Sequence, residues 1–198
     1  MEREFKWKAS AQQFDALCQS LGLHPHPQTI LHMDAIYYDD AAHSLRDRKI
    51  GLRLRSENGR RVCCMKLRTE AQNGLHVHEE YECAADTLID GLQKLPAHGA
   101  SAELCQHLAQ SELIPIAHVC FDRQPVMWTQ DGFSAELSLD IGTLASGSQS
   151  VPFCEIECEY KEGDADAFQT ACEAQAARFA LTPEPLSKLA RALSLSKV

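Results

Sequence analysis

Residues 153–160 read FCEIECEY, an alternation without a break. Successive side chains of an extended strand point to opposite faces, so Cys154, Ile156, Cys158 and Tyr160 share one face and Glu155, Glu157 and Glu159 the other. Three carboxylates on one face lie about 7 Å from their next neighbours. They repel one another unless water screens them or cations neutralise them.

The same arrangement recurs along the chain. Glu2 with Glu4, Glu80 with Glu82, and Glu136 with Asp140 each share a parity, as do the bases Arg53 with Arg55 and Lys66 with Arg68, while Lys6 follows Glu2 and Glu4 on theirs. For any one strand the ordinary reading is a solvated, charged outer face of an antiparallel sheet. The set reads differently, because acids and bases segregate strand by strand instead of mixing for solubility. Were these faces to point inward, carboxylates suited to hard cations would stand beside ammonium and guanidinium groups suited to phosphate.

Around this feature the sequence predicts an α+β chain of mostly antiparallel sheet. Strands are expected at 2–8, 51–55, 62–68, 76–83, 118–129, 133–141 and 152–161, with an aromatic pair, Tyr37 and Tyr38, in the strand-like region before them. SENGRR at 56–61 reads as a hairpin connection, since Asn58 and Gly59 tolerate positive φ. Asp131-Gly132, Gly142 and Gly147 are read as turns separating the later strands. Ser10 caps a helix carrying Phe14, Leu17, Cys18 and Leu21 at helical spacing and closed by Gly22. Further helices are expected at 86–95, 101–111, 164–180 and 186–195.

Composition narrows the function. The 198 residues, 44% of them hydrophobic, suit one domain spanning 1–198. A formal net charge of -9 argues against a nucleic-acid-binding surface, so an anionic ligand needs a local basic site. Nine cysteines without a CxxC spacing, behind an N-terminus that carries acids where a targeting peptide would be basic, point to free thiols in the cytoplasm. No apolar run approaches the length of a membrane span. No feature specifies an oligomeric state.

With these residues in view, the chain resembles the CYTH family of triphosphate tunnel metalloenzymes, which includes inorganic and thiamine triphosphatases and class IV adenylyl cyclases. The resemblance runs over nearly the whole chain: Glu2-Arg3-Glu4-Phe5-Lys6 matches the ExExK signature, and YYDDAAHSLRDRKIGLRLR at 37–55 the tyrosine, aspartate and LRxR stretch. MKLR supplies Lys66, EYE supplies Glu80 and Glu82, FDR supplies Arg123, and ELSLDIG supplies Glu136 and Asp140. EIECE supplies Glu155, Glu157 and Glu159, and LSKLARAL supplies Ser187, Lys188 and Arg191. Cys64 stands where the family usually has threonine, Asp40 where threonine often follows the tyrosine-aspartate pair, and His78 where arginine is common. His78 would weaken one phosphate contact at neutral pH.

The resemblance implies a closed antiparallel β-barrel of roughly eight strands, a tunnel, with peripheral helices. It further implies divalent-metal-dependent hydrolysis of a small-molecule triphosphate, first of all inorganic triphosphate, with Mg²⁺ or Mn²⁺ as cofactor. Lys6, Arg53, Arg55, Lys66, Arg123, Lys188 and Arg191 would hold the phosphates, and Glu2, Glu4, Asp140, Glu155, Glu157 and Glu159 the metal ions. Glu4 and Lys66 are the candidate catalytic residues. A cyclase making cyclic AMP from ATP, and a non-catalytic polyphosphate- or nucleotide-binding module, are the alternative readings.

Other signals read more plainly. His76 and His78 on one strand face lack a nearby further ligand for zinc, Cys154 and Cys158 read as small apolar core residues, and Ser187 lacks an oriented base to make it a nucleophile.

Overall fold

The computed structural model describes residues 2–67, 74–130 and 132–197. Arg68 and Asp131, used above for a basic face and a turn, lie outside the described residues.

Eight strands close into an antiparallel barrel: β1 (Glu2–Lys8), β2 (Leu31–Asp40), β3 (Ile50–Glu57), β4 (Arg60–Leu67), β5 (Leu75–Ala84), β6 (Leu113–Gln130), β7 (Phe133–Ser146) and β8 (Gln149–Gly163). Their order around the barrel is β5-β4-β3-β2-β6-β7-β8-β1, and pairing of β1 with β5 closes the ring. A two-residue strand, β9 (Thr182–Pro183), pairs with Trp7 and Lys8 beyond the point where β5 leaves β1. Among the described residues six α-helices accompany the barrel: α1 (Ala11–Leu21), α2 (Ser44–Asp47), α3 (Leu88–Lys94), α4 (Ala102–Gln110), α5 (Ala165–Arg178) and α6 (Lys188–Ser194).

Local chemistry explains several boundaries. Ser10 and Gln13 form a reciprocal capping box at the start of α1, and Gly22, at φ 67°, ends it. Asn58 and Gly59, both at positive φ, turn β3 into β4 as expected. Gly142 is a correction. It lies inside β7, opposite Phe121 on one side and Phe153 on the other, because any side chain there would overlap the Cys120 carbonyl oxygen. The last three strands are accordingly longer than the 118–129, 133–141 and 152–161 expected.

Which face of each strand points inward decides what the molecule can bind. The apolar faces of β1, β7 and β8 point outward, where Phe5, Trp7, Leu137, Ile156 and Cys158 pack beneath α1 and α5 through Phe14, Leu17, Phe168 and Cys172. A second cluster joins Leu52, Cys63, Met65 and Cys83 to Leu92 of α3 and Cys105 and Leu108 of α4. Burying each such large side chain stabilises the fold by roughly 1.5–3 kcal/mol. With these faces committed outside, the charged faces of β1, β3, β4, β5 and β8 turn into the lumen.

The third cluster involves α6. Leu189 and Ala192 pack with Met33, Ala35, Tyr37, Val119, Phe121, Leu144 and Phe153, against β2 and β6 to β8.

Candidate active site

The lumen is a cavity of about 860 Å³. Lining it are Glu2, Glu4 and Lys6 of β1, Arg53 and Arg55 of β3, Cys64 and Lys66 of β4, His76, His78, Glu80 and Glu82 of β5, Arg123 of β6, and Glu157 and Glu159 of β8. Lys188 of α6 lines it too. Asp140, Glu155 and Arg191 do not. They pack behind Lys188, with Asp140 and Glu155 fully buried.

Strand register positions these groups. Across β1 and β8, Glu4 faces Glu159 and Lys6 faces Glu157, and across β1 and β5, Glu2 faces His78. Across β7 and β8, Asp140 faces Glu155, and across β6 and β7, Arg123 faces Asp140. Directly opposed like charges are destabilising, so these carboxylates depend on interposed cations.

The cations are present. Lys6 Nζ lies 3.0 Å from Glu4 Oε1 and 3.2 Å from Glu157 Oε1. Arg123 forms a fork to Asp140, with Nε 2.8 Å from Oδ1 and Nη2 2.7 Å from Oδ2, and also reaches Glu157. Lys188 lies 2.7 Å from Asp140 and 2.9 Å from Glu157 and contacts Glu155, which Arg191 also contacts. Lys66 sits 3.0 Å from Glu2, 3.3 Å from Glu4 and 2.7 Å from Glu80. Arg53 meets Glu80 at 3.1 Å and donates to the Tyr37 hydroxyl at 3.1 Å.

These pairings set the ionisation. Burial alone would raise the Glu4 carboxyl, yet Lys6 and Lys66 outweigh it and bring it down to about 2. Glu157 is held well below the usual carboxylate range, since Lys188, Lys6 and Arg123 together overcome its burial. Glu80 is depressed against burial by Lys66, a hydrogen bond with Glu2, and Arg53. Lys66, although buried, is raised well above an ordinary lysine by Glu4, Glu80 and Glu2, so it remains an ammonium. Glu155 goes the other way, pushed up by burial and, despite Lys188, by neighbouring Glu157. Glu159 rises through burial and, although Lys161 opposes this, through Glu2 and Glu4.

Acids and bases segregate on β8 and β3 as expected, and Lys6 shares the face of Glu2 and Glu4, but across the lumen they interleave, with Lys66 inserted between acids of β1 and β5. His78 turns toward Glu2, with Nε2 2.6 Å from Oε2. Cys64 donates to Glu80 Oε1 at 2.8 Å, and half-buried Asp40 accepts from the Ser44 backbone N–H at 3.0 Å. Ser187 caps α6, its oxygen accepting from Ala190 N at 3.2 Å. His76 Nε2 lies 2.9 Å from the Glu184 carbonyl oxygen.

Two groups were missed as site components. Glu80 was read as part of the acidic wall but left out of the metal set, although its spacing with Glu82 matched the other pairs. Glu184, buried between Pro183 and Pro185, contacts Arg191 at 3.4 Å and Lys8 at 3.7 Å. A lone acid between prolines carries no periodic signal.

An eight-stranded tunnel lined by paired acids and bases defines the class, and the chain belongs to the CYTH domain family, whose sequence profile matches residues 1–193. The inorganic triphosphatase of Haemophilus influenzae is 29% identical over 134 residues, 68% of this chain. The match spans 37% of that relative, so the chain corresponds to little more than a third of it. Among solved structures, an adenylyl cyclase candidate from Hippeastrum, described as having a dominant triphosphatase activity, superposes with a TM-score of 0.64 at 20% identity, covering 98% of this chain and 96% of its own. A protein from Pyrococcus horikoshii OT3 gives the same TM-score at 16% identity, covering 98% and 99%. At these identities the likeness concerns the fold.

Proposed function

We propose that the chain, acting as one unit over 1–198 in the cytosol, hydrolyses a small-molecule triphosphate with the help of divalent metal ions, and that inorganic triphosphate is its first substrate. The observation that carries this reading is the lumen itself, in which Arg53, Arg55, Lys66, Arg123 and Lys188 stand among buried carboxylates within one cavity. A polyphosphate needs several cations in a row, and guanidinium forks give bidentate contacts to its oxygens.

The residues present fit a divalent cation. Glu4 faces Glu159 across the ladder and Glu2 faces His78 on the other side of β1, so carboxylates converge whose mutual repulsion a cation would relieve. Glu2, Glu4, Glu157 and Glu159 would hold it, with Asp140 and Glu155 supporting from behind. When bound, Mg²⁺ or Mn²⁺ supplies charge neutralisation at phosphate oxygens and an acidified water. The chain supplies positioning. Lys6 keeps Glu4 and Glu157 ionised and oriented, Arg53, Arg55 and Arg123 fix the phosphates, and Lys66 carries an ammonium proton at Nζ beside the charge that develops on the leaving oxygens.

One observation favours a second reading. Leu31, Met33, Phe121, Pro185 and Leu186 also line the cavity, an apolar stretch on which the base of a nucleotide could rest. Hydrolysis releases orthophosphate from triphosphate, whereas cyclisation of ATP releases pyrophosphate and cyclic AMP. Product analysis from inorganic triphosphate, thiamine triphosphate and ATP, with Mg²⁺, with Mn²⁺ and with chelator, tests both. Metal-dependent orthophosphate release supports the triphosphatase, and no release from any of the three overturns it.

A further inference from the structure

His78 occupies a place in the lumen that neither phosphate binding nor packing explains. It faces Glu2 across β1 and β5, and its side chain is 6% exposed. Its Nε2 lies 2.6 Å from Glu2 Oε2, 3.2 Å from Glu4 Oε1 and 3.9 Å from Glu80 Oε2. Lys66 Nζ approaches the same three carboxylates, at 3.0, 3.3 and 2.7 Å. One imidazole and one ammonium thus share a nest of three acids.

Ligand atoms of Glu2, His78 and Glu80 all lie within 4.8 Å of one another, the compactness that a single ion needs. Glu80 Oε2 pairs with the Lys66 ammonium at 2.7 Å, while Oε1 accepts from Arg53 and Cys64, so Oε2 is the Glu80 oxygen turned toward Glu2 and His78. An ion displacing the Lys66 ammonium from the nest would meet two carboxylate oxygens and one imidazole nitrogen. It would also free the ammonium to meet phosphate.

Donor chemistry then decides which ion fits. Mg²⁺ favours all-oxygen shells and gives up water reluctantly, whereas imidazole nitrogen suits first-row transition ions. We propose that His78 Nε2 is a metal ligand together with Glu2 and Glu80, and that this nitrogen tunes the site toward Mn²⁺, and toward Co²⁺ or Zn²⁺, over Mg²⁺. The inference rests on the metal-dependent reading above and adds a ligand and a selectivity to it.

The test reads binding rather than turnover. Chelator-stripped protein is titrated with Mn²⁺ followed by electron paramagnetic resonance, Mg²⁺ is used as competitor, and the bound Mn²⁺ is examined by pulsed methods for imidazole nitrogen coupling. The coupling is expected in the parent and in His76→Gln, and is expected to vanish in His78→Gln and His78→Asn. The Mn²⁺-over-Mg²⁺ affinity ratio should fall about tenfold or more in both His78 variants. Bound Mn²⁺ without nitrogen coupling in the parent overturns the proposal without needing any variant to fold, as does coupling that follows His76 instead. An unchanged affinity ratio overturns the selectivity claim. Failure of the parent to bind any divalent ion sinks the metal-dependent reading itself, and is thereby distinguishable.

Discussion

Lys6 and Glu157 face each other across the β1–β8 ladder, and their ammonium and carboxylate meet at 3.2 Å with both side chains buried. Lys6 also holds Glu4 at 3.0 Å, so one cation compensates two interior carboxylates. Removing one partner of a buried pair leaves an uncompensated charge, at a cost of about 3–5 kcal/mol. Lys6→Met should therefore lower stability by that order in urea denaturation without divalent ions. Lys8→Met on the same strand, with its side chain 60% exposed, should be nearly neutral. Equal losses from the two variants would mean that the interior pairing contributes little.

The depressed Glu4 carboxyl makes a claim about acid stability. Its folded value of about 2 lies below the ordinary 4.5, so its ionised form stabilises the fold above about pH 4.5, and that contribution is lost as pH falls through 2. Glu155 is raised, and its contribution has the opposite sign: present at low pH, lost as pH rises through its folded value. Glu4→Gln should flatten the fall in melting temperature between about pH 4.5 and 2, measured by circular dichroism with chelator present. Glu155→Gln should lessen the difference in stability between pH 4 and neutral pH in the chelator-treated protein. A Glu4→Gln variant that tracks the parent through the acid range would contradict the assigned pairing.

Much of this arrangement was legible beforehand, and the reasons differ by element. The alternation in β8 is a period-two signal that survives any context, so both of its faces could be read, though not which one points inward. That choice depends on α1 and α5 covering the apolar face, a tertiary fact. β6 was read only from 118, because Pro115 and the bulge at Tyr37 and Tyr38 interrupt its first turn of pairing with β2. Gly142 looked like a turn because glycine commonly is one, and nothing local announces a neighbouring backbone so close. The packing of Leu189 and Ala192 against β2 and β6 to β8 was invisible for a related reason: a seven-residue helix has too few apolar positions to say what covers them. Asp140, Glu155 and Arg191 were placed in the site by motif, yet their position behind Lys188 follows only from α6.

Helix α3 offers a test of packing against propensity. Gly91 is mid-helix, where alanine would ordinarily gain about 1 kcal/mol. Here a Cβ would overlap the side chain of Cys63 on β4, and overpacking of this kind costs typically 1–3 kcal/mol. Gly91→Ala should lower the thermal midpoint despite the better helix former. A midpoint above the parent's would show that α3 can slide on the barrel at little cost.

The cysteines provide a chemical probe of the same geometry. All nine are free, and Cys120, on the outer face of β6, is the exposed one. Cys64 lines the lumen, but burial, followed by Glu80, pushes its thiol far up even though Arg53 opposes the shift, so little thiolate forms. Iodoacetamide followed by peptide mass spectrometry should label Cys120 first and Cys64 at least about tenfold more slowly, because the thiolate is the reacting species and both access and charge disfavour it inside. Replacement also separates the roles of that side chain. Cys64→Thr keeps a donor for Glu80 and should retain triphosphate turnover, whereas Cys64→Val leaves Glu80 Oε1 with Arg53 as its remaining hydrogen-bond donor. The valine variant should bind phosphate more weakly, since Arg53 is then drawn further toward Glu80 and away from the lumen. Equal KM values for the threonine and valine variants would show that the thiol does not tune Arg53.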